Sequence, residues 1–445
     1  MGGARRAALT VLEKCRRSGA WSDAALGAVM DKAGLEERDR ALCTALCYGV
    51  LQNLFLLDHV LQNASTPPLD KTEPKVLDIL RVGAYQLLFM TRIPASAAVN
   101  ESVNLSRALG FSRAAGYVNA VLRSVAASPV VPEIKGDAPA SLSIRYSHPR
   151  WLVSELFELL GAAEAEEFLK CDNAPVPAYL QVNTLKTDAE ALRAALAGEG
   201  VETRPHPWLP DCLTADAGDL ARTEAFRNGL FYVQDPAAFL AVLIAQPRPG
   251  QKILDVCAAP GGKSFAAAIT SGAKAEITAC DLHENKLKRI RAGAERLGLS
   301  IDTLARDARE NRPDWLGAFD LVLADVPCSG LGVIRKKPEI RYKDPTAFVS
   351  LPGLQAQILQ NAARCAAPGG VLLYSTCTIR RMENEDIIEA FLRQNEDFSP
   401  ENFKIPGGRS SENGMLRLWP QRDGTDGFFI AKLRKKPQSA DRAGE

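Results

Sequence analysis

The stretch KILDVCAAPGGKSFAAAI, residues 252–269, decides the fold. Residues 252–256 form a short β-prone run. Cys257, Ala258, Ala259, Pro260, Gly261, Gly262 and Lys263 form a turn, and the alanine-rich 264–269 is helical in composition. A strand that turns through glycines straight into a helix marks the carboxyl edge of an α/β sheet, where backbone amides face a ligand. Two adjacent glycines remove side chains where a ligand must touch the main chain. The spacing is neither G-x-G-x-x-G nor a P-loop, because the glycine a P-loop needs five positions before Gly262 is missing.

Working outward toward the C-terminus, β-rich runs recur at 277–281, 301–306, 319–325 and 371–375, with helical stretches such as 284–297 and 346–366 between them. This alternation predicts a doubly wound α/β, Rossmann-like domain over 235–435. Two closing runs, 415–419 and 427–433, have no helical pattern between them and predict a terminal β-hairpin. The polar residues 436–445 predict a disordered tail.

Toward the N-terminus the texture changes. Residues 1–130 carry apolar residues at three- and four-residue spacing and predict an all-α domain, with 38–62 as one buried helix. Prolines at 67, 68, 74 and 94 fall between periodic segments, where breakers belong. Residues 128–140 hold three prolines and little periodicity, which sets an interdomain linker at 131–140. From 141 to 234 short strands and helices mix, predicting a small α+β subdomain.

Composition excludes some classes. Of 445 residues 46% are hydrophobic, so sizeable cores can form, yet no run approaches the roughly 20 apolar residues of a membrane helix. Formal net charge is +1. Residues 1–129 hold 15 basic against 11 acidic side chains, net +4, and the remainder 39 against 42, net −3. The basic front end is compatible with RNA. Ten cysteines without a C-x-x-C pair, and four scattered histidines, do not make a zinc site. A reduced, cytosolic monomer without metal or membrane contact is expected.

Three acidic residues end successive strands: Asp281, Asp307 and Asp325. Asp281, 20 residues after Gly261, is placed to accept bonds from the ribose hydroxyls of a nucleoside, and Asp307 to reach an adenine amino group. Glycine turns and strand-end carboxylates are common separately; all three in order after one glycine turn are not.

Two cysteines fall on the same rim. Asp325-Val326-Pro327-Cys328 follows the fourth strand and Ser375-Thr376-Cys377 the fifth. Carbon 5 of cytosine is a poor nucleophile, and thiolate addition at carbon 6 converts the ring to an enamine whose carbon 5 can attack an electrophilic methyl. The thiol must lose its proton, which suits a polar pocket near Lys263. The other cysteines read as small buried hydrophobes, and packing is also the expected role of Cys257. Residue types alone leave the nucleophile open between Cys328 and Cys377.

The stretches LDVCAAPGGKS (254–264), ADVPCSGLGVIRKKPEIRYK (324–343) and LLYSTCTIRRMENED (372–386) resemble the Nol1/Nop2/Sun family of RNA 5-methylcytosine methyltransferases, in its branch acting on small-subunit ribosomal RNA. The resemblance implies a class I methyltransferase domain and S-adenosyl-L-methionine as cofactor. It implies Cys377 as nucleophile, Cys328 as the thiol that assists breakdown of the covalent adduct, and Asp325 as a contact to both cytosine and the methionine end. Cys257 to Lys263 would hold the methionine side, Asp281 the ribose and Asp307 the adenine. ERDRALCTALCYGVLQN (37–53), 80–106 and YVNAVLRSV (117–125) resemble the NusB-related helical RNA-binding domain, and YSHPRWLVSELF (146–157) with YLQVNTLK (179–186) resembles the family's RNA-contacting subdomain.

Arg335, Lys336, Lys337, Arg341 and Lys343 form a basic run after Cys328, read either as solvated surface or as phosphate contacts. The target base must be unpaired or flipped. Transfer RNA remains an alternative substrate, and a non-catalytic RNA-binding or antitermination protein an alternative function. The latter would tolerate decay at Cys328, Cys377 or Asp325, and all three are intact.

Overall fold

A computed structural model describes residues 3–216 and 220–437. Most of the expected disordered tail, 436–445, lies outside the described residues. The chain divides into two compact units: Met1–Ala174 with Ile334–Asp344, and Pro175–Val333 with Pro345–Glu445.

The first unit is helical. Its elements are α1 (Gly3–Ser18), α2 (Ser22–Ala33), α3 (Glu37–Gln52), α4 (Leu54–Ala64), α5 (Pro74–Phe89), α6 (Ala95–Ala108), α7 (Ala115–Ala127), α8 (Ala138–Tyr146), α9 (Arg150–Leu160) and α10 (Ala162–Asp172). Leu46, Leu57, Leu61, Leu80 and Leu122 are wholly buried at its centre. Each such side chain contributes roughly 2 kcal/mol on leaving water. Local chemistry sets several starts: Glu73 and Asp137 accept from helix amides ahead of Pro74 and Pro139 in the first turns of α5 and α8.

The expected single helix over 38–62 is two helices, α3 and α4, bent by 81° at Asn53. Asn53 leaves the helical region at φ −121° and its side chain bonds the Gly49 carbonyl, so the apolar run continues while the axis turns. No single helix among the described residues is long and apolar enough to cross a membrane. The last residues of the 131–140 linker already belong to α8. Within the 141–234 segment, residues 141–174 with α8, α9 and α10 cluster with the first unit, and residues 175–234, with the strands and the later helices, cluster with the second.

Residues 334–344 are built into this first unit. Ser22 donates to Glu339 from its backbone N (2.9 Å) and its hydroxyl (2.8 Å). Arg341 is wholly buried, donating from Nη1 to the carbonyls of Gln52, Tyr146 and Ser147 and to Asn173 Oδ1. The Tyr342 hydroxyl donates to the Leu51 carbonyl at 2.6 Å. This corrects the reading of the basic run as phosphate contacts for two of its members, since Arg335 and Arg341 are buried. Ile334 and Ile340 draw the segment inward, and the guanidinium of Arg341 satisfies helix-end carbonyls that would otherwise be orphaned.

The second unit opens with a four-stranded antiparallel sheet in the order β2-β3-β1-β4, formed by β1 (Ala178–Val182), β2 (Thr203–Pro205), β3 (Cys212–Ala215) and β4 (Phe231–Val233). α11 (Ala189–Gly198) packs on it through Leu192 and Leu196. After the single-turn α12 (Glu224–Arg227) and α13 (Pro236–Ala245), the larger sheet begins. Its parallel strands are β5 (Lys252–Asp255), β6 (Glu276–Asp281), β7 (Asp302–Ala305), β8 (Phe319–Asp325) and β9 (Ala366–Thr376). The order is β10-β12-β9-β8-β5-β6-β7, with β10 (Phe398–Pro400) and β11 (Met415–Leu418) on the antiparallel β12 (Phe428–Lys435).

Period-two alternation splits this core into two layers. Ile253, Leu321, Leu323 and Leu373 face α13, α14 (Gly262–Thr270) and α15 (Glu284–Leu297). Leu254, Val322, Leu372 and Tyr374 face α16 (Leu351–Cys365) and α17 (Glu385–Gln394). The expected hairpin of β11 and β12 pairs antiparallel, but the one-turn α18 (Pro420–Asp423) sits between its strands, against expectation. Four residues are too few for an apolar period to register.

Candidate active site

Because β5 to β9 run parallel, their carboxyl ends share one rim. The turn from Cys257 to Lys263 leaves β5, Asp281 ends β6, Asp307 lies two residues past β7, Asp325 ends β8 and Cys377 follows β9. The structure therefore brings the turn, the three aspartates and Cys377, with Cys328 three positions past Asp325, to one edge, whereas the basic run at 335–343 belongs to the first unit.

The turn has no room for larger residues. Gly261 has φ +112°, and a Cβ there would lie 2.6 Å from the Phe265 ring. A Cβ on Gly262 would lie 2.7 Å from Gln234 Nε2. Beside the turn opens a cavity of about 490 Å³, lined by Asp255, Ala259, Lys263, Asp325, Tyr232 and Gln234 among others. Asp255 is fully buried; its Oδ2 accepts from the Ser264 hydroxyl at 2.7 Å, and its Oδ1 has no hydrogen-bond partner. Burial pushes its carboxyl up to about 7, against the opposing Ser264 bond and Lys263 charge. Burial likewise pushes the Cys257 thiol well above its ordinary value.

Lys263 Nζ lies 2.7 Å from Asp325 Oδ2, and Ser375 Oγ donates to Asp325 Oδ1 at 2.7 Å. Lys263 is nearly covered and lies 5.1 Å from the Phe428 ring centroid. Asp281 Oδ1 accepts from the His283 amide at 3.1 Å and lies 3.4 Å from Lys286 Nζ. Both oxygens of Asp307 are held by Arg309, which keeps its carboxyl below the usual range.

Cys328 Sγ and Cys377 Sγ are 3.3 Å apart and both half-buried. The neighbouring Cys377 sulfur, then burial, then the negative charge of Glu383 push the Cys328 thiol well above its ordinary value. The two loops are also tied through backbone: Gly332 N donates to the Cys377 carbonyl at 2.9 Å, and Gly427 N to the Gly332 carbonyl at 2.8 Å. A Cβ on Gly332 would fall 1.8 Å from the Gly427 oxygen, so only glycine permits this approach.

The donor set fits S-adenosylmethionine. The glycine turn leaves space that a Cβ would fill, a charged acceptor ends β6, and an orphaned buried carboxyl oxygen borders the cavity. Sequence reasoning did not single out Gln234, Tyr232 or Glu383. Glu383 lay inside a quoted motif without a role, because burial and partner are not legible in a string of letters.

Comparison with known proteins identifies the family and the fold. Family models match for the 16S rRNA methyltransferase RsmB/F over residues 242–434, the NusB family over 3–127 and the RsmF/B-like ferredoxin-like domain over 148–218. The chain is 37% identical over 442 residues to the probable ribosomal RNA small subunit methyltransferase B of Bacillus subtilis, covering 97% of this chain and 98% of that one. It is 34% identical to ribosomal RNA small subunit methyltransferase B of Vibrio cholerae, covering 90% and 91%. The crystal structure of PH0851 superposes with a TM-score of 0.84 at 28% identity, covering 98% and 99%. NSun6 from Pyrococcus horikoshii, solved with SFG, an analogue of S-adenosylmethionine, gives 0.58 at 25% identity, covering 65% of this chain and 99% of that one. With identity of this degree running through all three regions, the chain belongs to the RsmB/F family of ribosomal RNA small subunit methyltransferases.

Proposed function

We propose that this protein methylates carbon 5 of a cytosine in small-subunit (16S) ribosomal RNA, in the cytosol, through a covalent bond between Cys377 and the base. The observation that carries the reading is the 3.3 Å approach of two thiols at adjacent strand ends, beside the Lys263–Asp325 pair. S-adenosylmethionine, when bound, supplies the electrophilic methyl.

The chain's own residues take the following roles. The turn from Cys257 to Lys263 and the N-terminus of α14 hold the methionine end, where helix amides favour a carboxylate. Asp281 accepts from the ribose, and Asp307, charged and kept so by Arg309, accepts from the adenine amino group. Asp325 accepts from the exocyclic amino group of the target cytosine, and Lys263 and Ser375 fix its rotamer. The Cys377 thiolate adds to carbon 6, and carbon 5 takes the methyl. The proton on carbon 5 leaves to water, and the carbon 6–sulfur bond then breaks with its electron pair returning to Cys377. Cys328, held as the protonated thiol, donates to that departing sulfur. A cytosine in a duplex hides carbon 6, so the base enters the pocket unstacked.

The test is Cys377→Ala with radiolabelled cofactor and small-subunit RNA. Methyl transfer is lost while cofactor binding by calorimetry stays within about threefold, since the thiol acts on the base and not the cofactor. Normal turnover by this variant would remove Cys377 from the role.

A further inference from the structure

Each thiol is pinned on both sides by a buried side chain. On the Cys328 side, Gln355 Nε2 donates to the Pro327 carbonyl at 3.0 Å, and the Ser329 amide donates to Glu383 Oε2 at 2.9 Å. On the Cys377 side, the Thr376 hydroxyl donates to Asn384 Oδ1 at 2.6 Å, and Asn384 Nδ2 donates to the Thr378 carbonyl at 3.0 Å. The two halves meet at Glu383. Its side chain is wholly buried, and Oε2 also accepts from Gln355 Nε2 at 2.9 Å. Its Oε1 lies 3.5 Å from the Thr378 hydroxyl, which is itself 2.7 Å from the Ser329 hydroxyl. The Glu383 main-chain carbonyl accepts from the Tyr374 hydroxyl on β9 at 2.6 Å, which ties the backbone that carries the carboxylate to the sheet.

We propose that Glu383 is a positioning residue that sets the separation of the two thiols, tying the loop that carries Cys328 to the loop that carries Cys377. A carboxylate suits this task because it only accepts, and the groups converging on it are all donors: a backbone amide, a side-chain amide and a hydroxyl. Its bonds to Ser329 and Thr378 place it one residue beyond each cysteine, so a shift in the carboxylate moves both sulfurs. Its charge also helps keep Cys328 protonated, the form needed to donate to a departing sulfur. The inference rests on the roles proposed above for the two cysteines, and one of its readouts does not depend on them.

Two variants test it in the full-length protein. Glu383→Gln keeps the shape and one acceptor but turns a donor toward Thr378; Glu383→Ala removes the tie. The first readout is the rate at which diamide, a thiol oxidant, converts Cys328 and Cys377 to a disulfide, followed by peptide mass mapping. That rate should fall about tenfold or more in Glu383→Ala and less in Glu383→Gln, since loss of about 1 Å in placement is costly. The second is the covalent RNA adduct on denaturing gels. Glu383→Ala should accumulate adduct as Cys328→Ala does, and the double variant should show no further increase. Cofactor affinity should stay within about threefold in both variants.

A disulfide forming at the wild-type rate in both variants overturns the inference. So does parallel loss of adduct and turnover without accumulation, which is what a merely structural role produces. If Glu383→Ala does not fold, the disulfide rate of Glu383→Gln decides alone. If Cys328→Ala itself traps no adduct, the reading of the cysteines has failed, and the disulfide rate still decides the role of Glu383.

Discussion

A buried carboxyl beside the cofactor cavity makes a residue-scale test of the site's electrostatics. Asp255 ionises near 3.8 in the unfolded chain and is pushed to about 7 in the folded one, chiefly by burial. Between those values the folded protein holds a proton that the unfolded protein releases, so this group's contribution to stability falls as pH rises from about 4 to 7. Asp255→Asn abolishes that titration. Urea midpoints should therefore shift in the variant's favour, relative to wild type, between pH 5 and pH 8. A difference between the two proteins that is the same at both pH values would show that Asp255 is not perturbed. At this scale the sequence was informative about chemistry and silent about surroundings. The two thiols and the strand-end aspartates were recognisable because their residue types and order suit the proposed reaction. Glu383 was not, because its role arises from donors supplied by Ser329, Gln355 and Thr378, which only folding brings together.

Elements were legible wherever a period ran long enough. β8 and α15 stand where the sequence sets them, over 319–325 and 284–297. Two failures have physical causes. The apolar run over 38–62 continues through the bend at Asn53, so periodicity could not locate the break. The basic run after Cys328 was read by charge, yet Arg341 is drawn under the surface by the apolar residues around it and spends its donors on main-chain carbonyls. Arg341→Met keeps the apolar stem but leaves those buried acceptors unsatisfied, a loss of about 3 kcal/mol. Urea unfolding of the full chain measures it, and a change under about 1 kcal/mol, the range of surface substitutions, would mean the guanidinium is not needed there.

The whole molecule combines a helical unit with a doubly wound unit, and the chain passes between them more than once: residues 334–344, only six positions after Cys328, belong to the helical unit. Sequence order hides this, because a segment embedded in a catalytic motif reads as part of the catalytic domain. The domain types were nonetheless legible, since all-α and alternating α/β textures differ over long windows. The proposed reaction rests on the rim geometry of the doubly wound unit, where parallel strands deliver a glycine turn, a lysine–aspartate pair and two thiols to one edge.

The covalent step is tested most directly by trapping it. Cys328→Ala is incubated with small-subunit ribosomal RNA and methyl-labelled S-adenosylmethionine, digested with nuclease and protease, and the cross-linked peptide is sequenced by mass spectrometry. The peptide should contain Cys377 joined to a cytosine that already carries the labelled methyl. Free turnover by this variant with no adduct, or a cross-link at any residue other than Cys377, would contradict the mechanism.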